Sequence, residues 1–304
     1  MKKVSVLLST YNGEKYLREQ IDSVLAQEGV EITLFVRDDG SSDGTKEILK
    51  EYAEKGLLTY TAEKNVGFAK SFFWLVCNAP RNDFYAFCDQ DDYWRKDKLF
   101  AAAEKLSVFD NAKPNLYYSA LKVVDENLVQ THASTHSGYT APPAERVFPS
   151  SLMQNWVYGC TMVFNEELRR LYSIYDQPLY CHDWTMYQIA AGLGNVVFDE
   201  VPHIDYRQHG TNVYGFFKSG FNALKKNLKL FFEKESKNLR LTEAEKYKAC
   251  YYEMLSETNK KYLDELTNYR RSRKDKRAFK KDKAFKEKGI VGFYHKILIT
   301  FNKL

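Results

Sequence analysis

Three carboxylates fall within four positions in CDQDDYW (88–94): Asp89, Asp91 and Asp92. Packed that closely they repel one another, which is costly unless a cation or hydrogen-bond donors offset the charge. Oxygen ligands of this kind suit Mg²⁺ or Mn²⁺, which take one or two carboxylates and complete their shell with phosphate and water. A solvated turn capping a helix near Arg95 would also place acids here. The tract, however, follows the apolar run FYAFC and is closed by Trp94, which favours a metal–diphosphate site.

Asp38 and Asp39 stand at the head of RDDGSSDGT (37–45). An aspartate at a strand end can accept from a base imide or a ribose hydroxyl, while the next helix start offers backbone N–H groups. An ordinary strand-to-helix turn would read the same way. HDW (182–184) sets Asp183 beside Trp184 near a helix start, either as a general base under an aromatic ring or as a plain N-cap. In YRQHG (206–210), His209 can ligate metal or donate to phosphate, and Arg207 can offset a diphosphate. A single histidine is more often structural.

The elements that must carry these residues alternate between strand and helix. VSVLLST (4–10), ITLFVRDD (32–39), LLTYTAE (57–63) and DFYAFCD (83–89) read as strands. Between them lie a helix with Leu17, Ile21, Val24 and Leu25, one with Ile48, Leu49 and Tyr52 capped by Ser42 or Asp43, and GFAKSFFWLVCNA (67–79). Such alternation implies a parallel sheet, whose ligands sit at the carboxyl ends of the strands, where the acidic clusters fall. Further on, NLYYSALKVVD (115–125) and VYGCTMVFN (157–165) read as strands, 131–149 as a loop, CHDWTMYQIAAGLG (181–194) as a helix and 195–210 as two short strands. From Lys218 the pattern predicts two or three helices.

The 304 residues suffice for one large domain with an appendage, and 44% hydrophobic content supports a core. The five cysteines form no CxxC pair, which argues against a zinc ribbon or a disulfide framework and fits a reducing cytoplasm. MKKVSVLLST lacks the long apolar region of a secretory leader, and no stretch approaches the roughly 20 apolar residues that cross a bilayer. Charge is uneven. Residues 1–220 carry 22 Lys and Arg against 29 Asp and Glu, a net of −7, whereas residues 221–304 carry 23 against 11, a net of +12. An acidic body and a basic tail are expected.

Taken in order, these residues resemble the family 2 glycosyltransferases. STYNGEKYLREQIDSVLAQ (9–27) is similar to that family's opening strand and helix, RDDGSSDGT to its nucleotide loop, KNVGFAKS (64–71) to its NxG segment and CDQDD to its DxD motif. HDW stands where the catalytic-base motif stands. The likeness covers about residues 1–215. Within the family, DQDDYW, HDW and YRQHG are most similar to rhamnosyltransferases that build bacterial cell-wall or surface polysaccharides. The resemblance implies an α/β GT-A fold, a Rossmann-like, mostly parallel sheet with flanking helices, over residues 1–218. Residues 219–304 would form a basic, mainly helical extension.

Carried over residue by residue, the resemblance implies that Thr10, Tyr11 and Asp39 contact the base, with Asp38 a weaker candidate, and that Asn65 and Gly67 belong to the donor site. Asp89 would bind ribose or support the metal, Asp91 would be its principal ligand, Asp92 a helper, and His209 would face metal or diphosphate, with Arg207 as counter-charge. Asp183 would be the catalytic base, and Trp156, Gly159, His182 and Trp184 would line the acceptor side. His182 departs from the usual acidic pair before the base-motif aromatic, and would either orient Asp183 or touch the acceptor.

The implied activity is an inverting, Mn²⁺- or Mg²⁺-dependent sugar transfer, from dTDP-β-L-rhamnose or a UDP-hexose or UDP-HexNAc, to a hydroxyl of a lipid-linked glycan. Two other classes compete. A nucleotidyl or phosphoryl transferase would share acidic strand ends, but GxxxxGK[ST] is absent. A non-catalytic nucleotide- or glycan-binding scaffold would not need Asp91, Asp183 and His209 together. Residues 270–288 hold 11 Lys and Arg, and Ile290, Val291, Phe293, Tyr294, Ile297, Leu298 and Phe301 follow as an expected apolar face. This tail is expected on the anionic inner face of the cell membrane, with packing or homo-oligomerisation as the second reading and nucleic acid a distant third.

Overall fold

The computed structural model describes residues 1–131, 147–175, 180–210, 238–287 and 289–304. Strand β1 (Lys2–Thr10) carries Val4, Val6, Leu7 and Leu8 with no exposed surface, as a strand covered on both faces requires. Helix α1 (Glu14–Leu25) buries Leu17, Ile21 and Val24 at the expected three-and-four spacing. The alternation continues through β2 (Val30–Asp38), α2 (Thr45–Glu54), β3 (Thr59–Ala62), α3 (Phe68–Asn78) and β4 (Phe84–Cys88). Thr10 pairs with Asp38 and Leu8 with Cys88 in parallel register, so β2, β1 and β4 end side by side at one edge.

The chain then runs through β5 (Tyr93–Trp94), α4 (Lys98–Leu106), β6 (Asn115–Ser119), β7 (Lys122–Val124), α5 (Val147–Met153), β8 (Val163–Asn165), α6 (Glu166–Ile174), α7 (His182–Leu193), β9 (Asn195–Asp199) and β10 (Ile204–Arg207). The main sheet has the order β3-β2-β1-β4-β8-β6-β9, parallel except that β8 opposes both β4 and β6. The mostly parallel sheet with flanking helices is therefore the GT-A arrangement that the sequence implies. A smaller sheet, β5-β10-β7, pairs β10 antiparallel to β5 and parallel to β7.

Several local readings are corrected. Residues 115–125 are two strands in different sheets, because the Ala120 N–H is spent on the Asp199 carbonyl (2.7 Å) before the chain crosses over. In 157–165 only β8 is strand: the Thr161 N–H and Oγ1 both donate to the Tyr158 carbonyl (2.9 and 2.8 Å) and fold Gly159–Thr161 into a 3₁₀ turn. Pro149 sits in the first turn of α5, where a missing N–H costs nothing. The rest of that expected loop, 132–146, lies outside the described residues, as does the expected boundary at 218/219.

The chain divides into two compact units, Met1–Ala141 with Trp156–Ala190 and Gly194–Thr211, and Pro142–Asn155 with Ala191–Leu193 and Asn212–Leu304. Among its described residues the second contains α8 (Leu239–Tyr251), α9 (Glu257–Asn268), α10 (Arg273–Lys281) and α11 (Gly289–Phe301), more helices than the sequence pattern predicts. Leu263, Leu266, Tyr269, Phe279, Phe285 and Leu298 are buried within it. The apolar residues of α11 do not share one face as expected. His295, Leu298 and Ile299 are buried, while Phe293 and Phe301 are 67% and 70% exposed. The side chains of Ile290 and Val291 lie outside the described residues. Among the described residues no helix is long and apolar enough to cross a membrane.

Candidate active site

The ends of β1 and β2 hold the first cluster. Asp38 is fully buried and accepts from Thr10 Oγ1 (3.0 Å), from the N–H groups of Gly40 (3.2 Å) and Ser41 (3.0 Å), and from the Ser41 hydroxyl. Its carboxylate shapes the turn. Asp39, also buried, pairs with Arg37 and accepts the Val66 and Gly67 N–H groups, each at 2.9 Å. Gly67 has φ +84°, a conformation that favours glycine, and its N–H is also held by Asn65 Oδ1 (3.1 Å). The expected NxG segment is thus tied to the expected base-binding aspartate.

Tyr11 is half exposed, and its backbone is clamped by Gln90 of the acidic tract. Gln90 Oε1 accepts the Tyr11 N–H (2.8 Å) and its Nε2 donates to the Tyr11 carbonyl (3.0 Å). A side chain at Gly13 would come within 2.3 Å of Gln90 Oε1, so the glycine of TYNG makes room for this clamp. Gln90 is a residue the sequence reading did not single out. A polar side chain between three acids gave no signal of its own.

The acidic tract continues from β4 into β5, a strand the sequence reading missed. Pairing of Ile204 with Trp94 and of Asp205 with Tyr93 draws the 206–210 segment alongside it. His209 Nε2 thereby lies 2.8 Å from Asp91 Oδ2, and the His209 ring stands 4.9 Å from Tyr16. Arg207 is buried. Its N–H donates to Asp92 Oδ1 (3.1 Å), its Nε donates to the Asp91 carbonyl (2.9 Å), and its guanidinium pairs with Glu19 over the Tyr16 ring. The cation expected to face a diphosphate is committed to the backbone of the tract.

Asp89 and Asp92 converge with the Cys160 thiol, their ligand atoms all within 4.8 Å. Burial, then the charges of Asp91 and Asp183, push Asp89 up to about 7, and burial with Asp91 and Asp89 pushes Asp92 well above the carboxylate range. Asp92 Oδ2 is buried without a hydrogen-bond partner among the described residues. Two mutually repelling carboxylates beside a thiol fit a divalent cation, which would relieve the repulsion. Cys160 was invisible in sequence because it lies 68 or more residues from either aspartate.

The His182 ring stands edge-on to Phe87 (4.5 Å), the last residue but one of β4, which puts the HDW segment at the same strand end. Asp183 sits in the first turn of α7, half-buried, and its Oδ1 accepts the Trp184 N–H (2.7 Å). The N-cap is Cys181. His182 is stacked on Phe72 (4.2 Å) and edge-on to Phe87 (4.5 Å), with no hydrogen-bond partner at either ring nitrogen among the described residues. Burial holds it at about 4, so the ring is neutral near pH 7. A side chain at Gly159 would come within 2.9 Å of His182 Nε2 and 3.6 Å of Asp183 Cβ. Trp184 is buried, while Trp156 is half-buried.

Strand order, acidic strand ends and a helix-borne aspartate thus meet in one unit, and the family model described as glycosyl transferase family 2 matches residues 5–164. The chain belongs to glycosyl transferase family 2. Among curated relatives, "dTDP-rhamnosyl transferase RfbG" of Shigella flexneri is 29% identical over 238 residues, covering 71% of this chain and 78% of the relative. An "uncharacterized glycosyltransferase" of Rickettsia typhi is 28% identical over 216 residues, covering 68% of this chain. The match spans 64% of that relative's length, a little under two thirds. Among solved structures, TarS residues 1–349 of S. aureus superposes with a TM-score of 0.58 at 20% identity, covering 92% of this chain and 75% of that one. The likeness is one of fold. TarS has also been solved in complex with UDP-GlcNAc.

Proposed function

We propose that the protein is an inverting, metal-dependent glycosyltransferase that moves L-rhamnose from dTDP-β-L-rhamnose to a hydroxyl of a lipid-linked glycan. The observation that carries this reading is the convergence of Asp89, Asp91, His209 and Asp183 at the carboxyl ends of the parallel strands. Likeness to the Shigella relative supports the choice of sugar. A UDP-hexose or UDP-HexNAc is the alternative donor.

Asp91 and His209, supported by Asp89, would hold Mn²⁺ or Mg²⁺, which when bound offsets charge on the diphosphate. Thr10, Tyr11, Asp39, Asn65 and Gly67 line the nucleotide side, with Gln90 fixing the Tyr11 backbone. Asp183 accepts the proton of the acceptor hydroxyl as that oxygen bonds to the anomeric carbon. The bond from that carbon to the diphosphate oxygen breaks, and its electron pair leaves on the nucleotide. Attack from the opposite face inverts the centre, so a β-L-rhamnosyl donor gives an α-linked product. Neutral His182 cannot supply a positive charge to this step; its place is to pack the first turn of α7 beside Gly159.

The second unit bears on location. Phe293, Lys296, Ile297, Thr300 and Phe301 recur at one-turn spacing, and Lys276 and Lys280 of α10 reach Thr300 (2.7 and 2.8 Å). Exposed aromatic rings among lysines suit an anionic leaflet, at about 1 kcal/mol per basic residue near the surface.

The test is slow hydrolysis of dTDP-rhamnose, UDP-glucose, UDP-galactose and UDP-N-acetylglucosamine with Mn²⁺, Mg²⁺ or EDTA. EDTA-sensitive turnover of dTDP-rhamnose alone is expected. Preference for a UDP-sugar overturns the rhamnosyl donor, and absence of both turnover and nucleotide binding overturns the glycosyltransferase reading.

A further inference from the structure

Lys15, Tyr16 and Glu19 share one side of helix α1, and the chain leaving β10 packs against them. The Arg207 guanidinium pairs with Glu19, stands 4.6 Å from the centre of the Tyr16 ring and donates through Nη1 to the Glu126 carbonyl (2.5 Å). Lys15 holds the Glu126 carboxylate (2.8 Å). The same Tyr16 ring lies 4.9 Å from the His209 ring, tilted by 35°. One aromatic side chain thus packs a guanidinium and an imidazole that stand two residues apart.

The ladder between β7 and β10 closes with the Gln208 N–H on the Val124 carbonyl (2.9 Å), one residue before His209. The direction of the imidazole therefore depends on what touches its ring. Its Nε2 lies 2.8 Å from Asp91 Oδ2, but a cation held by both side chains takes that nitrogen, and the hydrogen bond between them is given up. The Tyr16 contact does not compete with the cation, because it is made with the ring and not with the nitrogen. The Tyr16 hydroxyl, 3.5 Å from Glu126, contributes little.

We propose that Tyr16 is a positioning residue for His209, its ring holding the imidazole turned towards Asp91 when a divalent cation replaces the hydrogen bond between them. The proposal rests on reading Asp91 and His209 as metal ligands. Helix α1, which carries none of the expected ligands, thereby sets the geometry of one of them.

The test compares wild type, Tyr16→Phe, Tyr16→Leu, His209→Gln and Tyr16→Leu/His209→Gln. Melting temperature, Mn²⁺ affinity from the free-ion signal and the pulsed-EPR coupling of bound Mn²⁺ to an imidazole nitrogen are read on each. Tyr16→Leu is expected to bind Mn²⁺ about fivefold more weakly and to lose most of the nitrogen coupling, whereas Tyr16→Phe keeps both. In the His209→Gln background the same substitution should change affinity by less than about twofold, because its effect runs through the imidazole. A ring that merely steadies the helix would weaken both backgrounds alike. If Tyr16→Leu melts well below wild type, Tyr16→Met takes its place in the same cycle. Wild-type affinity and coupling in Tyr16→Leu overturn the proposal, as does an equal loss in both backgrounds. Unchanged Mn²⁺ affinity in His209→Gln, or no Mn²⁺ binding by wild type, overturns the metal-site reading on which the proposal rests.

Discussion

His209 Nε2 lies 2.8 Å from Asp91 Oδ2, across 118 residues of chain. The pairing of β10 with β5 brings them together, and Arg207 fastens the junction through the Asp91 carbonyl. Two potential ligands of opposite character, one carboxylate and one imidazole, are therefore delivered by separate elements to one strand end.

Either partner of that pair should be separable from the fold. Asp91→Asn and His209→Gln are expected to lower Mn²⁺ affinity by at least tenfold, read by titration of the free-ion signal, with melting temperatures within a few degrees of wild type. Metal binding unchanged in both variants would place the cation elsewhere.

Gly159 is predicted to be intolerant of even one methyl group. A Cβ there meets His182 Nε2 at 2.9 Å, and the ring cannot retreat because Phe72 and Phe87 stand against it. Gly159→Ala should cost about 1–3 kcal/mol of stability through overpacking. It should also reduce turnover more than nucleotide binding, since the displaced turn carries Asp183. Denaturant unfolding alongside donor hydrolysis reads both effects.

The neutral state of His182 has a pH signature. Its pKa falls from 6.5 in the unfolded chain to about 4 in the fold. A depressed value means that the fold binds fewer protons, so this contribution is intact above pH 6.5 and is lost as pH falls towards 4. Between pH 7 and pH 5 it amounts to about 2 kcal/mol. His182→Phe, which keeps an aromatic ring between Phe72 and Phe87, should flatten that part of the stability profile; a profile as steep as wild type would contradict the assignment.

For the tail, co-sedimentation with vesicles is the direct reading. Phe293→Ser/Phe301→Ser is expected to weaken binding to phosphatidylglycerol vesicles several-fold, with little binding of either protein to phosphatidylcholine. Equal binding by variant and wild type would remove α11 from the membrane contact.

Much of this was legible in the sequence, and for identifiable reasons. The buried strands β1, β2 and β4 announce themselves as apolar runs, and Asp38, Asp39, Asp89 and Asp91 fall at their ends because loops begin there. What escaped was long-range or very short. β5 is two residues, too brief for any periodicity, yet it decides where His209 goes. The convergence of Cys160 with Asp89 and Asp92 is tertiary, as is the aromatic enclosure of His182. Arg207, read as a counter-charge to diphosphate, and Trp184, set on the acceptor side by the resemblance, are both buried, a degree of enclosure that residue type does not reveal because a guanidinium can serve backbone carbonyls and an indole can pack in a core.

The central claim is that Asp183 acts as base at the strand end occupied by Asp89 and Asp91. The most direct measurement is on Asp183→Asn, following donor hydrolysis and Mn²⁺-dependent dTDP and UDP binding on the same folded sample. The account predicts turnover lowered by at least 10²-fold, within the usual contribution of a general base, with nucleotide binding within threefold of wild type. Wild-type turnover in Asp183→Asn, or loss of nucleotide binding from a normally folded variant, would contradict it.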